Sequence, residues 1–181
     1  MIRRVRSNLR KQVGMTLIEL ITAMAIMGIL MAIAVPNIME FIKMSRVSSQ
    51  TDALINTFAM ARLKAISERK VITVCAANDP NKDDCSADSA DWSNGWLVKD
   101  GSTVISRFKA NAKDVNISFT KTEYTSIELA KSLGGATLSG GGAIDGDFKI
   151  CGVKLKQKEQ LVILSTSGRA SKKISPNNCP G

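Results

Sequence analysis

Residues 15–35 form an unbroken apolar run that holds a single charge, Glu19. At about 1.5 Å rise per residue, a helix of that length spans about 30 Å, the depth of a bilayer's hydrocarbon core. Arg3, Arg4, Arg6, Arg10 and Lys11 precede the run, and no acid occurs before Met15. Short basic flanks stay on the cytoplasmic side, so the N-terminus is expected inside and the chain beyond Pro36 outside.

A secretory signal peptide also combines a basic start with an apolar middle, and Ala32-Ile33-Ala34 has the small-x-small form of a cleavage site. The run is longer than a usual signal core, however, and it carries Glu19. A plain membrane anchor explains the length but not the carboxylate, which costs roughly 2.5–3.5 kcal/mol at bilayer depth. An acid kept there needs an opposite charge within reach.

The stretch Gly14-Met15-Thr16-Leu17-Ile18-Glu19-Leu20 follows a basic leader and opens an apolar run that ends at Pro36. It resembles the class III signal of type IV pilins and type II secretion pseudopilins, with Met15 where that family usually has Phe. The resemblance implies that a prepilin peptidase cuts between Gly14 and Met15 and methylates the new amine. It also implies that Glu19 guides assembly with other pilins. An amine on Met15 would lie one helical turn before Glu19. Supplied by an incoming subunit, it would set the axial register of an open, head-to-tail assembly.

The remainder is long enough for one globular head, expected over residues 36–181. The net charge is +9; removing the five leader cations leaves about +4. Charge is segregated: residues 151–181 hold six basic residues and only Glu159 as an acid, whereas 76–100 hold six Asp against Lys82 and Lys99. With no histidine, His-dependent triads and His metal sites are excluded, so no catalytic residue, metal or cofactor is expected. Cys75, Cys85, Cys151 and Cys179 all fall on the exported side, where disulfides form. Three pairings are open; Cys75–Cys85 with Cys151–Cys179 closes the shortest loops, and a four-Cys zinc site is the alternative.

Beyond Pro36, apolar residues recur at helical spacing: Ile38, Phe41, Ile42, Val47, Thr51, Leu54, Ile55, Phe58, Ala61, Ala65 and Ile66. One helix is therefore expected from about residue 15 to 68, kinked rather than stopped by Pro36. Its second half, 36–68, should be amphipathic and lie on a sheet. After Lys70 the pattern turns to β-rich segments over 71–181, with strands expected at 71–75, 96–98, 103–105, 115–119, 148–151 and 161–164. Gly140-Gly141-Gly142 reads as a turn. The fold class is α+β, a long helix packed on an antiparallel sheet, which is the pilin architecture that the resemblance implies.

A second resemblance covers the head. Cys75 and Cys85, then Trp92-Ser93-Asn94-Gly95-Trp96 with Lys99-Asp100-Gly101, then Phe148-Lys149-Ile150-Cys151, Ser167-Gly168-Arg169 and Cys179, resemble the FimT/GspH-type minor pilins. The two-disulfide pattern leans towards FimT. In that group a Gly-Arg-x-Arg tail motif is implicated in DNA capture during natural transformation. Gly168 and Arg169 match it, and Ser171 replaces the second Arg, with Lys172 and Lys173 following. Lys154, Lys156 and Lys158 alternate, and on a strand they would share one face. Paired as a hairpin, these segments would gather Lys154, Lys156, Lys158, Arg169, Lys172 and Lys173 into one patch under the Cys151–Cys179 staple. Such a patch suits the phosphates of double-stranded DNA, read without sequence preference. The alternative is a solvated face that serves solubility.

The Asp-rich loop, with Asp79, Asp83, Asp84, Asp88 and Asp91, lacks EF-hand spacing and is expected to be a solvated loop, as is Asp145-Gly146-Asp147. Trp92 and Trp96 are expected in the core. The function expected is a minor pilin that binds DNA for uptake, with a GspH-type pseudopilin of a type II secretion system as the alternative. It is placed in the inner membrane before assembly and in the pilus, periplasmic or at the cell surface, afterwards. Its partners are other pilins, the prepilin peptidase and DNA.

Overall fold

The computed structural model describes residues 14–87, 91–110, 113–121, 126–132, 134–144 and 146–180, with Pro36 and Asn37 described by backbone alone. The basic leader, Asp88 and Asp145 lie outside these residues. The chain divides into two units, Met1–Met39 and Glu40–Gly181.

Helix α1 covers Leu17–Glu68 and continues through Pro36. Thr16 caps its start. The Thr16 hydroxyl accepts from the Glu19 amide at 3.4 Å, and its carbonyl accepts from the Leu20 amide at 3.2 Å. Thr16 and Glu19 have the spacing of a capping box, and Glu19 stands in the first turn, at the positive end of the helix dipole. At the other end Arg69 is left-handed (φ 54°), and the Lys70 amide reaches back to the Ala65 carbonyl at 3.2 Å. This is the closing turn that glycine usually makes. A side chain held there costs about 1–2 kcal/mol.

In the first unit the apolar side chains are exposed around the whole helix, as a hydrocarbon solvent or a helical neighbour would require. Exposure does not end at Val35. Ile38, Phe41 and Ile42, expected on the buried face, are exposed, as is Met44. Burial begins at Val47 and continues through Thr51, Leu54, Phe58, Ala61 and Ala65, steps of three and four that put one stripe on the sheets. Ile66 stays exposed.

Two antiparallel sheets, not one, receive that stripe. The first holds β1 (Ile72–Ala76), β2 (Gly95–Asp100), β3 (Thr103–Lys109), β5 (Ser126–Leu129), β6 (Ala136–Leu138) and β7 (Gly142–Ala143), in the order β3-β2-β1-β5-β6-β7. The second holds β4 (Val115–Phe119), β8 (Asp147–Gly152), β9 (Lys158–Leu164) and β10 (Ala170–Asn178), in the order β10-β9-β8-β4. Strands β5, β6, β7 and β10 have no counterpart among the six expected from sequence. β10 reads Ala-Ser-Lys-Lys-Ile-Ser-Pro-Asn-Asn, mostly polar and exposed, with Pro176 tolerated because β10 is an edge.

Trp92 and Trp96 are buried, as expected. Trp92 meets Phe148 edge-on at 4.8 Å, and Trp96 stacks on Phe108 at 5.8 Å. Gly95 between them has φ 109°, and a Cβ there would lie 2.1 Å from the Phe108 carbonyl oxygen. Disulfides join Cys75 to Cys85 and Cys151 to Cys179, which leaves no thiolate for zinc.

Candidate functional site

Gly14, Met15 and Glu19 lie at the exposed start of α1. Met15 precedes the cap and Glu19 occupies the first turn. Glu19 is the one charge in the apolar stretch 15–35 and is exposed on the helix.

The six cations expected to form one patch occupy separate places. Lys154 and Lys156 are not on a strand. β8 ends at Gly152, and Lys154 takes a left-handed turn (φ 57°). Leu155 is buried and packs back over Gly152 beside Val47, and that burial breaks the alternation that would have aligned the lysines. Lys158 opens β9, and its Nζ donates to the Pro176 carbonyl at 3.4 Å.

The hairpin does form. β9 and β10 pair antiparallel, with Lys172 opposite Val162 and Lys173 opposite Leu161. Successive residues point to opposite faces, so the two lysines part company. Val162 is in the core, and Lys172 on its side reaches α1. Its Nζ donates to the Ser48 hydroxyl at 3.1 Å and lies 3.7 Å from an Asp52 oxygen. Lys173 takes the outer face. Lys149 of β8 is also opposite Leu161, so the two cations flank one leucine. A hollow of about 560 Å³ on that side holds Lys149 and Lys154 together with Glu159.

Arg169 follows the tight turn that joins β9 to β10. Gly168 has φ 74°, and a Cβ there would fall 2.0 Å from the Gly134 carbonyl oxygen, so no other residue fits. The Ser165 hydroxyl accepts from the Arg169 amide at 3.2 Å and donates to its carbonyl at 3.1 Å. Beside it, a groove of about 220 Å³ runs between α1 and the hairpin, with Arg62, Leu63 and Arg169 in its walls. Arg62 is a neighbour that the tail sequence gives no hint of, because it belongs to α1 and the whole β-rich region separates it from Arg169.

The Asp-rich loop is tied down by its own contacts. Asp83 pairs with Arg107, Asp79 accepts from the Asn81 amide at 2.8 Å, and Asp91 accepts from the Ser93 amide at 2.8 Å. Among the described residues no group of acids, cysteines or histidines is placed to hold a metal ion. Lys70 is held above its usual 10.5 by its hydrogen bond to Asp100, with the Asp100 charge adding to the effect.

Residues 9–35 match the prokaryotic N-terminal methylation motif, and residues 50–168 match the family described as Type II transport protein GspH. The chain belongs to the GspH family. This GspH-family chain is similar in fold to the type IV minor pilin FimU of Pseudomonas aeruginosa strain PAO1, known in two crystal forms. One aligns at TM-score 0.53 and 17% identity, over 73% of this chain and 96% of that one. The other aligns at TM-score 0.51 and 16% identity, over 77% and 96%. No curated protein sequence matches the chain. It is a minor pilin or pseudopilin, a structural subunit that is anchored in the inner membrane by its apolar helix before it enters a filament.

Proposed function

We propose that the chain is a minor type IV pilin, cut between Gly14 and Met15, whose head binds double-stranded DNA nonspecifically for uptake. For the assembly half, the supporting observation is Glu19 on an apolar helix with no burial of its own. The amine released on Met15 of an incoming subunit is the charge that offsets it. Mass spectrometry of the mature chain should give Met15 as its first residue; any other start overturns the cut.

For DNA, the supporting observation is the exposed hairpin β9–β10, which carries Arg169 beside its turn and Lys172 and Lys173 on opposite faces of its edge strand. Lysines lack the arginine fork, so affinity is expected to come from charge and to fall steeply with salt. The test compares labelled duplex binding by the detergent-solubilised chain and by a variant with Arg169, Lys172 and Lys173 all changed to Ala. Equal affinity removes the DNA reading and leaves the pilin reading in place.

The match of residues 50–168 to a type II transport family favours a second reading, a pseudopilin that helps to prime a short secretion pseudopilus. A deletion strain that loses secretion but keeps its transformation frequency would decide for it.

A further inference from the structure

Three separate segments meet where α1 ends. The helix brings Arg62, Leu63 and Ile66, with Arg69 in its closing turn. The β5–β6 turn brings Lys131, and the β9–β10 turn brings Arg169. Gly134 joins them: a Cβ there would lie 2.5 Å from Arg62 Cγ and 2.9 Å from Ile66 Cδ1, and its carbonyl oxygen abuts Gly168. Gly134 thus touches Arg62 and Gly168 of the groove that holds Arg169, and Ile66 of the hollow that holds Arg69 and Lys131.

Elsewhere the head matches many of its cations with acids: Arg46 with Asp114, Lys64 with Glu68, Lys70 with Asp100, Arg107 with Asp83 and Lys172 with Asp52. Among the described residues none of Arg62, Arg69, Lys131 and Arg169 has a carboxylate partner. Arg62 is also fixed in direction, because its Nε donates to the Ser167 carbonyl at 3.0 Å, away from the guanidinium's outer nitrogens. Arg69 occupies a left-handed position where glycine would be the relaxed choice. Strain retained at an exposed basic position points to a role other than stability.

We propose that Arg62, Arg69, Lys131 and Arg169 form a phosphate cradle at this end of the head, and that it is the principal contact with the duplex backbone. This rests on the DNA reading above and moves its centre from the tail lysines to a site shared with the helix. Three of the four cations are arginines, whose forks grip phosphate oxygens in pairs. Exposed Leu63 lines the groove with Arg62 and Arg169, and exposed Ile66 lines the hollow with Arg69 and Lys131, apolar surface of the kind that arginine stems cover.

The experiment titrates a fluorescent mixed-sequence duplex with the detergent-solubilised full chain over a salt series. The variant R62Q/R69Q/K131Q leaves the tail intact. It should lose at least tenfold in affinity at low salt, and its log–log salt slope should flatten by about 0.9 per lost phosphate contact. K172Q/K173Q should change affinity less than threefold. Arg69→Gly alone should raise the melting temperature and weaken binding, a split that a merely structural arginine would not give. Wild-type binding with an unchanged slope in R62Q/R69Q/K131Q overturns the cradle and leaves the DNA reading standing. No wild-type binding at low salt overturns both.

Discussion

The indole Nε1 of Trp96 donates to the Thr57 hydroxyl at 2.9 Å, and Thr57 in turn donates to the Ala53 carbonyl at 2.8 Å. Both side chains are fully buried, so the bond ties β2 to the helix inside the core. Thr57→Val keeps the shape but strands the indole N–H. It should destabilise the head by about 1–3 kcal/mol, read from chemical unfolding of the detergent-solubilised chain. A loss below a few tenths would mean that Trp96 finds another acceptor.

Gly168 and Gly140 both have positive φ, 74° and 88°, but differ in their surroundings. A Cβ on Gly140 meets nothing within 4 Å, whereas one on Gly168 strikes the Gly134 carbonyl. Gly140→Ala should cost only the left-handed strain, about 1–2 kcal/mol. Gly168→Ala should cost clearly more and shift the turn that carries Arg169. Thermal melts of the two variants should rank them in that order.

The disulfides close loops of different length, with sequence separations of 10 and 28. On the chain-entropy account, removing Cys75–Cys85 costs about 2.7 kcal/mol and removing Cys151–Cys179 about 3.6 kcal/mol. The second bond also holds the far end of β10, where Cys179 donates its amide to the Gln157 carbonyl at 2.8 Å. Paired Cys→Ser variants should separate by about 1 kcal/mol in unfolding free energy, with Cys151–Cys179 the costlier.

On the proposed assembly, Glu19 supplies a charge for the neighbour's amine, and its spacing from Thr16 also fits a capping box. Glutamine serves in a capping box as well as glutamate does. Glu19→Gln should therefore keep the helix start, yet lose filament incorporation as fully as Glu19→Ala. Normal incorporation of Glu19→Gln, scored by immunoblot of sheared filaments, would assign the residue to capping alone.

Some of this architecture can be read one residue at a time. Glu19 and the apolar run that follows a basic leader announce a membrane helix, and Val47, Leu54, Phe58 and Ala61 keep helical period where they pack. β4 was legible because Val115, Ile117 and Phe119 alternate cleanly between faces. β10 was not, because an edge strand buries little and its Lys, Ser, Pro and Asn read as a loop. Ile38, Phe41 and Ile42 misled for the opposite reason: their spacing matches a core stripe, yet all three are exposed.

The sequence by itself determined the membrane helix, its one buried-phase acid, the α+β class and the resemblance to pilins, because these rest on local period, length and charge. Tertiary structure alone decided which cations meet. Lys172 and Lys173 are adjacent in the chain but point to opposite faces of a strand, whereas Arg62 on the helix and Arg169 at the last hairpin share one groove. Strand register and helix packing set those distances, and neither is encoded in the spacing of residues along the chain.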